Sequence, residues 1–351
     1  MKIIIKQISL LFFLSLLTAT TLSAMEWERV VNLRGYWKFS IGDDMKWATP
    51  DYNDVSWEEI RVPSSWESEG FHGYNGYAWY RTTFEFPKDA DGYSLMLKMG
   101  YIDDVDEVYI NGKLVGKSGS FPPDYSTAYY ANRNYPIPGK YLTTEGENVI
   151  AVRVFDSQMD GGIVRGDIGI YAYTRGMKLD VNLEGEWKFN TGDNHDWSKT
   201  NYDDSNWDYI LVPGYWESRG WADYNGFAWY RIKFFVPEKL RGKKLVLSLG
   251  KIDDIDETYL NGTKVGFTGE MYDNMRKSRF DYEYRQFRGY FIPDGVIKFG
   301  EENTIAVRVY DGYINGGIYE GPIGLTTQEK YRDYWRDRKS NKNIWELIFG
   351  N

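Results

Sequence analysis

The chain has 351 residues, enough for about two domains of ordinary size. It contains no cysteine, which excludes disulfides, thiol nucleophiles and cysteine-based zinc sites. Its formal net charge of −9 argues against binding to nucleic acid or anionic lipid, because both of these partners are themselves negatively charged. Aromatic residues make up 18% of the chain, and they suit both β-sandwich cores and stacking surfaces for sugar rings.

The first 24 residues have the pattern of a secretory signal peptide. Lys2 and Lys6 give a positive start, an apolar run covers residues 8–17, and Ala24 ends a small-residue cleavage motif. That run is too short to span a bilayer comfortably, and no later segment is apolar enough to do so. We therefore expect an exported protein without a membrane span, located in the periplasm, at the cell surface or in the medium.

The rest of the sequence repeats itself. Residues 33–87 match residues 183–237 at a constant offset of 150, and the offset becomes 155 from Tyr135 and Tyr290 onward. The second copy therefore carries a five-residue insertion between Gly266 and Tyr290. A period this long with only two copies indicates a duplicated domain. We predict a first domain at residues 25–175, a second at 176–326 and a C-terminal tail at 327–351.

Each copy has the pattern of β-strands. Leu245, Leu247 and Leu249 recur with a period of two. The Asn-Gly pairs at residues 111–112 and 261–262 are strong hairpin signals, because both central positions of a type I′ turn need a positive φ. Short strands bounded by glycine and proline, without long amphipathic helices, predict an all-β fold of two tandem jelly-roll β-sandwiches.

The tail has a different pattern. The spacing of Tyr331, Tyr334 and Trp335 predicts one helix face, followed by a break at residues 340–343 and a strand at 344–349. This tail either docks on the second domain or binds a partner.

Motifs shared by both copies resemble a known family. They are Tyr-(Asp/Asn)-Asp-x-x-Trp, Val-Pro-x-x-Trp, Ala-Trp-Tyr-Arg and Ile-Asp-Asp-x-Asp-Glu-x-Tyr-x-Asn-Gly, closed by Asn-x-Ile-Ala-Val-Arg-Val-x-Asp at 148–156 and 303–311. Each copy resembles the galactose-binding-like jelly-roll that forms the N-terminal sugar-binding domain of glycoside hydrolase family 2 enzymes, and is similar to the jelly-roll of sialate O-acetylesterases. The resemblance implies a non-catalytic role, since catalysis in those families resides on a separate domain. We therefore expect that the chain is not an enzyme.

Candidate catalytic groups are few. His72 and His195 are the two histidines, and their positions are not equivalent, which excludes a Ser-His-Asp triad in each domain. Carboxylates that could act as a glycosidase pair recur in both copies. They are Asp103, Asp104, Asp106 and Glu107, with Asp253, Asp254, Asp256 and Glu257. We expect them to form salt bridges with the repeated arginines at 81, 153, 231 and 308. No cofactor is expected, and a structural calcium ion held by some of these oxygens is an alternative role.

Residues kept in both copies are explained by the shared fold, so we assign the repeated tryptophans to packing. Loops that differ between the copies are better places for specificity. The candidate ligand-binding residues are Phe71, His72, Tyr74, Tyr125, Tyr129, Trp221, Tyr224, Tyr282, Tyr284 and Arg285. The region of the insertion also contains Arg276, Arg279 and Arg288, a local reversal of charge that would attract an acidic partner.

These features predict an exported, non-catalytic protein that recognises a glycan or another envelope protein. Aromatic rings and polar groups in loops serve sugar binding and protein contacts equally well. Two alternatives are a structural or assembly component, such as a sheath subunit, and an accessory subunit of a glycoside hydrolase or carbohydrate esterase.

Overall fold

The computed structural model describes residues 27–272, 275 and 282–349, with the side chains of the last helix described as far as Lys339. The predicted signal peptide, Arg276 and Arg279 lie outside the described residues. The described residues form two β-sandwiches followed by a C-terminal helix, so the predicted all-β fold is confirmed. No helix among them is both long and apolar enough to cross a membrane.

The first sandwich contains ten strands. They are β1 (Glu28–Asn32), β2 (Gly35–Ile41), β3 (Glu58–Val62), β4 (Gly76–Glu85), β5 (Leu95–Asp103), β6 (Val105–Ile110), β7 (Lys113–Ser118), β8 (Asn132–Ile137), β9 (Glu147–Asp156) and β10 (Gly162–Ala172). One sheet has the order β1-β10-β5-β8, and the other has the order β3-β2-β4-β9-β6-β7.

The second sandwich repeats this topology. Its strands are β11 (Val181–Asn182), β12 (Gly185–Thr191), β13 (Asp208–Val212), β14 (Gly226–Phe235), β15 (Leu245–Asp253), β16 (Ile255–Leu260), β17 (Thr263–Thr268), β18 (Phe287–Phe291), β19 (Glu302–Asp311) and β20 (Gly317–Thr327). The sheet orders are β11-β20-β15-β18 and β13-β12-β14-β19-β16-β17, the same as before with every label raised by ten. The predicted domain boundary at residue 176 lies between β10 and β11.

The repeated tryptophans build the core, as the sequence predicts. Trp66 is completely buried, and its indole N–H donates to the Tyr80 hydroxyl at 2.6 Å. Trp79 is equally buried on the opposite face of the six-stranded sheet, where Trp47 and Trp57 cover it. Trp37 also lies in the core, and the second sandwich buries the counterparts of Trp37, Trp66 and Trp79, which are Trp187, Trp216 and Trp229. Large packed aromatics therefore account for these motifs without a ligand.

The C-terminal helix α1 (Gln328–Phe349) is continuous, so the predicted break and strand are wrong. Its first turns lie against the edge strand β18, where Tyr331 contacts Phe291 and Trp335 contacts Phe287 with ring centroids 5.5 and 5.2 Å apart. Gly289 allows this approach, because a Cβ there would collide with the Tyr331 hydroxyl. The helix start thus docks on the second sandwich.

The two sandwiches contact each other through a buried carboxyl group. Glu184, just before β12, is only 4% exposed, and its Oε1 accepts hydrogen bonds from Ser94 Oγ at 2.7 Å and Ile323 N at 3.4 Å. Burial raises the pKa of Glu184 to about 7, although these two hydrogen bonds oppose the shift.

Candidate functional site

Three loops of the first sandwich meet at Asp103 and Asp104, where the chain passes from β5 in the four-stranded sheet to β6 in the six-stranded sheet. Asp156 ends β9 at the same place, because β9 pairs with β6 in the register Phe155 to Val105. The loop before β4, the loop between β7 and β8 and the loop between β9 and β10 all lie at this end. Thr127 in the loop between β7 and β8 and Ser157 in the loop between β9 and β10 both donate hydrogen bonds to Asp104. We call this region the loop end of the sandwich.

Asp104 is held as a carboxylate at the loop end. Its Oδ2 accepts hydrogen bonds from the Tyr125 hydroxyl at 2.6 Å and from the Ser157 backbone N–H at 3.0 Å and hydroxyl at 2.9 Å, while Oδ1 accepts one from Thr127 at 2.5 Å. Burial alone would raise the pKa of Asp104, but these donors outweigh it and lower the pKa to about 2.

Asp103 and Asp156 face this carboxylate in a much less favourable environment. Burial raises the pKa of Asp103 to about 7, and a hydrogen bond to Asp104 and the charges of Asp104 and Asp156 add to the effect. Burial also raises the pKa of Asp156 to about 7, reinforced by the charges of Asp104 and Glu67. Each of the three aspartates offers an oxygen that lies within 4.8 Å of the others. They form a compact acidic cluster.

The second sandwich has the same cluster, made of Asp253, Asp254 and Asp311. Burial, the hydrogen bond to Asp254 and the neighbouring carboxylates raise the pKa of Asp253 to about 8. Burial is also the main cause that raises the pKa of Asp311 to about 7. Gly312 stands where the first copy has Ser157, and its backbone N–H donates to Asp254 at 3.0 Å.

A buried arginine lies beneath each cluster, and the sequence analysis gave it no such role. Arg133 Nε lies 2.7 Å from Asp106 Oδ1, both side chains being fully buried. Its other nitrogens donate to the backbone oxygens of Ala128, Ala131 and Asp104. The signal that could have revealed it is the offset of 155, which makes Arg288 its counterpart.

The predicted salt bridges are therefore only partly correct. Arg153 does pair with Glu107 at 3.2 Å, but its shorter contact is to Asp43 at 2.5 Å. Arg81 pairs with Asp54 instead of the acidic run, and Asp106 pairs with Arg133. The second copy repeats these pairs.

Arg288 also corrects the predicted basic surface. It is fully buried against Asp256, with the two groups 3.0 Å apart, so it cannot attract an acidic partner from solvent.

The predicted ligand residues before β4 and β14 are mostly packed against the core. Phe71 contacts Phe39 with ring centroids 4.8 Å apart, and its counterpart Trp221 contacts Phe189 at 4.5 Å. Tyr74 donates its hydroxyl to the Tyr77 carbonyl at 2.6 Å, and Tyr224 makes the same bond to Phe227. These contacts give the four side chains a packing role, and their role as ligand contacts stays a prediction. His72 is exposed.

The predicted residues between β7 and β8 are more accessible. Tyr125 contacts the acidic cluster through its hydroxyl. Tyr129 is 56% exposed and meets Tyr130, which is 72% exposed, edge to face at 5.7 Å. The first loop end therefore combines exposed aromatic faces with carboxylate oxygens.

The second sandwich brings Tyr284 and Arg285 together with an aromatic pair that the sequence analysis did not select. Tyr215 and Tyr319 stack with centroids 4.9 Å apart and planes 6° from parallel. The Tyr319 hydroxyl donates to the Tyr284 carbonyl at 2.8 Å, and Arg285 Nε donates to the Tyr284 hydroxyl at 2.7 Å. Asp253 pairs with Gly317 across β15 and β20, two residues before Tyr319, which places the stacked pair beside the second cluster.

Tyr282 is 67% exposed, and the Arg285 guanidinium lies 5.9 Å from the centre of its ring. The sequence does contain a signal for the stacked pair. At the offset of 150, Tyr215 corresponds to Ser65 of the first copy, and at the offset of 155, Tyr319 corresponds to Val164. The structure therefore joins Tyr282, Tyr284 and Arg285 in one group, next to a tyrosine stack that the first copy lacks.

Comparison with known proteins finds that part of this chain is similar to domains of glycoside hydrolases. The family model of the β-galactosidase second all-β domain matches residues 42–160. A β-glucuronidase of Formosa agariphila is 28% identical over 154 residues, covering 39% of this chain and 14% of that protein. A β-galactosidase of Bacteroides ovatus is 29% identical over 147 residues, covering 38% and 16%. The first sandwich therefore resembles an all-β domain of glycoside hydrolase family 2 enzymes, as the motifs predict.

Solved structures align with more of this chain than the curated relatives do. A β-glucuronidase from Bacteroides uniformis aligns with 84% of this chain and 28% of its own chain, at 16% identity and a TM-score of 0.35. The chain spans less than a fifth of the length of the two curated relatives.

Proposed function

We propose that this chain is an exported, non-catalytic protein that recognises carbohydrate at the loop end of its sandwiches. The observation that carries the proposal is the Tyr215–Tyr319 stack with Tyr284 and Arg285 beside the acidic cluster. Sugar sites combine an aromatic face for the C–H side of the ring with planar polar groups for the hydroxyls. The pattern of residues 1–24 supports export.

The geometry of the cluster supports recognition over hydrolysis. A retaining glycosidase holds its two carboxyl groups about 5–5.5 Å apart, and an inverting enzyme about 6.5–9.5 Å apart, to leave room for the sugar or for water. The carboxylate oxygens of Asp103, Asp104 and Asp156 instead lie within 4.8 Å of one another, and four donors already occupy Asp104. The similarity of the first sandwich to an all-β domain of much longer enzymes supports an accessory role.

A glycan array on residues 25–351, followed by calorimetric titration of the best ligand, tests the proposal. We expect saturable binding that falls at least tenfold in the double variant Tyr215→Ser/Tyr319→Val, because this change gives the second loop end the residues of the first. Tyr36→Ala is the matched control, since Tyr36 is exposed at the opposite end of the first sandwich.

Three results would contradict the proposal. They are a failure to bind any glycan, equal weakening by the control, and turnover of aryl glycosides or acetyl esters that disappears in Asp103→Asn or Asp253→Asn.

A further inference from the structure

We propose that each sandwich binds one calcium ion, held by Asp103, Asp104 and Asp156 in the first and by Asp253, Asp254 and Asp311 in the second. This inference does not depend on carbohydrate recognition. Calcium was an alternative role for the acidic run at 103–107, and the structure changes the set of ligands: Asp106 and Glu107 pair with arginines, and Asp156 takes their place.

Asp156 carries a carboxylate oxygen that has no hydrogen-bond partner among the described residues. Asp156 is completely buried, and its Oδ1 accepts a hydrogen bond from the Gln158 backbone N–H at 3.2 Å. Its Oδ2 is buried without any hydrogen-bond donor. A buried carboxylate left unsatisfied in this way costs several kcal/mol unless a cation or a proton compensates it. The same group faces Asp103 and Asp104, so a cation between the three would supply the missing partner.

The second sandwich shows the same arrangement independently. Asp311 is completely buried, its Oδ1 accepts the Tyr313 backbone N–H at 3.0 Å, and its Oδ2 has no donor. The surrounding loops differ, since Gly312 replaces Ser157. Both copies therefore keep a carboxylate oxygen without a hydrogen-bond donor at the same position, although the residues around it differ.

In the described part of the chain, no basic side chain forms an ion pair with Asp156 or Asp311. The buried guanidinium of Arg133, whose charge acts on Asp103, is already paired with Asp106 and donates to three backbone oxygens. In the second sandwich Arg288 is committed to Asp256 and to the backbone oxygens of Glu283, Gln286 and Asp254.

The ligand set favours calcium over other metals. All donors are carboxylate oxygens, which select hard cations and disfavour zinc or copper. The oxygens lie within 4.8 Å of one another. Calcium accepts about six to eight oxygen ligands in a flexible geometry, whereas magnesium requires a near-ideal octahedron and usually keeps several waters, so a mostly buried cluster of carboxylates suits calcium better. Asp103 is half-buried and gives the ion a route from solvent.

Calorimetric titration of chelator-treated residues 25–351 with calcium chloride tests the proposal. We expect two ions per chain, one ion in Asp156→Asn and none in Asp156→Asn/Asp311→Asn. Asp91→Asn is the matched control, because Asp91 is exposed in a turn away from the cluster, and it should still bind two. Calcium at a hundred times its Kd should raise the melting temperature by roughly 5–10 °C in the wild type and leave the double variant unchanged.

The competing occupant is a proton. If protons alone compensate the cluster, the wild type binds no calcium at pH 8 up to about 1 mM, and the proposal fails. It also fails if the double variant still binds two ions. Should the buried substitutions prevent folding, Asp103→Asn and Asp253→Asn at the half-buried positions replace them, with the same stoichiometries expected.

Discussion

Replacing Glu184 by Gln should make the protein more stable at alkaline pH. Glu184 lies buried between the two sandwiches, and both of its described donors, Ser94 Oγ and Ile323 N, reach Oε1. A glutamine keeps that oxygen as an acceptor and changes only the ionisable half of the group. The variant therefore removes a buried charge with little change of shape or hydrogen bonding.

The magnitude follows from the pKa of Glu184, which burial raises from 4.5 to about 7. The folded state then holds this proton more tightly than the unfolded state does, so the stability is fully present below pH 4.5 and is lost as the pH rises through 7. A tenfold change in proton affinity corresponds to about 1.4 kcal/mol, so ionised Glu184 costs roughly 3 kcal/mol at pH 8.

Thermal melting at pH 4.5 and pH 8 measures this effect. At pH 8 the Glu184→Gln protein should melt roughly 6–12 °C above the wild type, and at pH 4.5 the two should agree within about 2 °C. Glu85→Gln is the control, because Glu85 is exposed on β4. Other carboxyl groups titrate equally in all three proteins, so the comparison isolates Glu184. A gap that is the same at both pH values, or a wild type that is the more stable at pH 8, would refute the reasoning.

Three further substitutions, one of them a control, test the packing. Trp229→Ala should cost about 3–5 kcal/mol in the free energy of unfolding by denaturant, because a fully buried indole is truncated; a loss below 1 kcal/mol would be inconsistent with its burial. Arg288→Met should also cost about 3–5 kcal/mol, since it strands the buried Asp256 carboxylate, whereas Arg285→Met should cost almost nothing in the same titration because Arg285 is exposed. Equal effects of the two arginine variants would contradict the placement of Arg288.

The fold could be predicted because its signals are local and occur twice. The turn at Asn111 and Gly112 has φ values of 49° and 76°, and the turn at Asn261 and Gly262 has 50° and 78°, as the Asn-Gly pairs require. The constant offsets of 150 and 155 between the copies indicate a duplicated domain from the sequence alone. Core side chains are also predictable, because they only have to be apolar and buried, and the repeated aromatic motifs mark such positions.

The site could be predicted only in part because it is assembled across long sequence separations. Adjacency in the sequence suggests that residues 103–107 act together, but alternate residues of a strand point to opposite faces, so neighbouring side chains acquire different partners. Asp156 joins the cluster from 53 residues away through the pairing of β9 with β6. Arg133 reaches Asp106 across 27 residues. Neither contact leaves a periodic trace in the sequence.

Comparison of the two copies distinguishes the residues of the site that both sandwiches share from the residues that differ between them. Both copies keep the three aspartates above a buried arginine–aspartate pair, although the loops around them have changed. Only the second copy places stacked tyrosines over this framework, where the first has Ser65 and Val164. Equal frameworks imply two cation sites of similar affinity, and unequal surfaces imply that glycan binding is dominated by one sandwich. Two calcium ions and one glycan per chain is the stoichiometry that this division predicts.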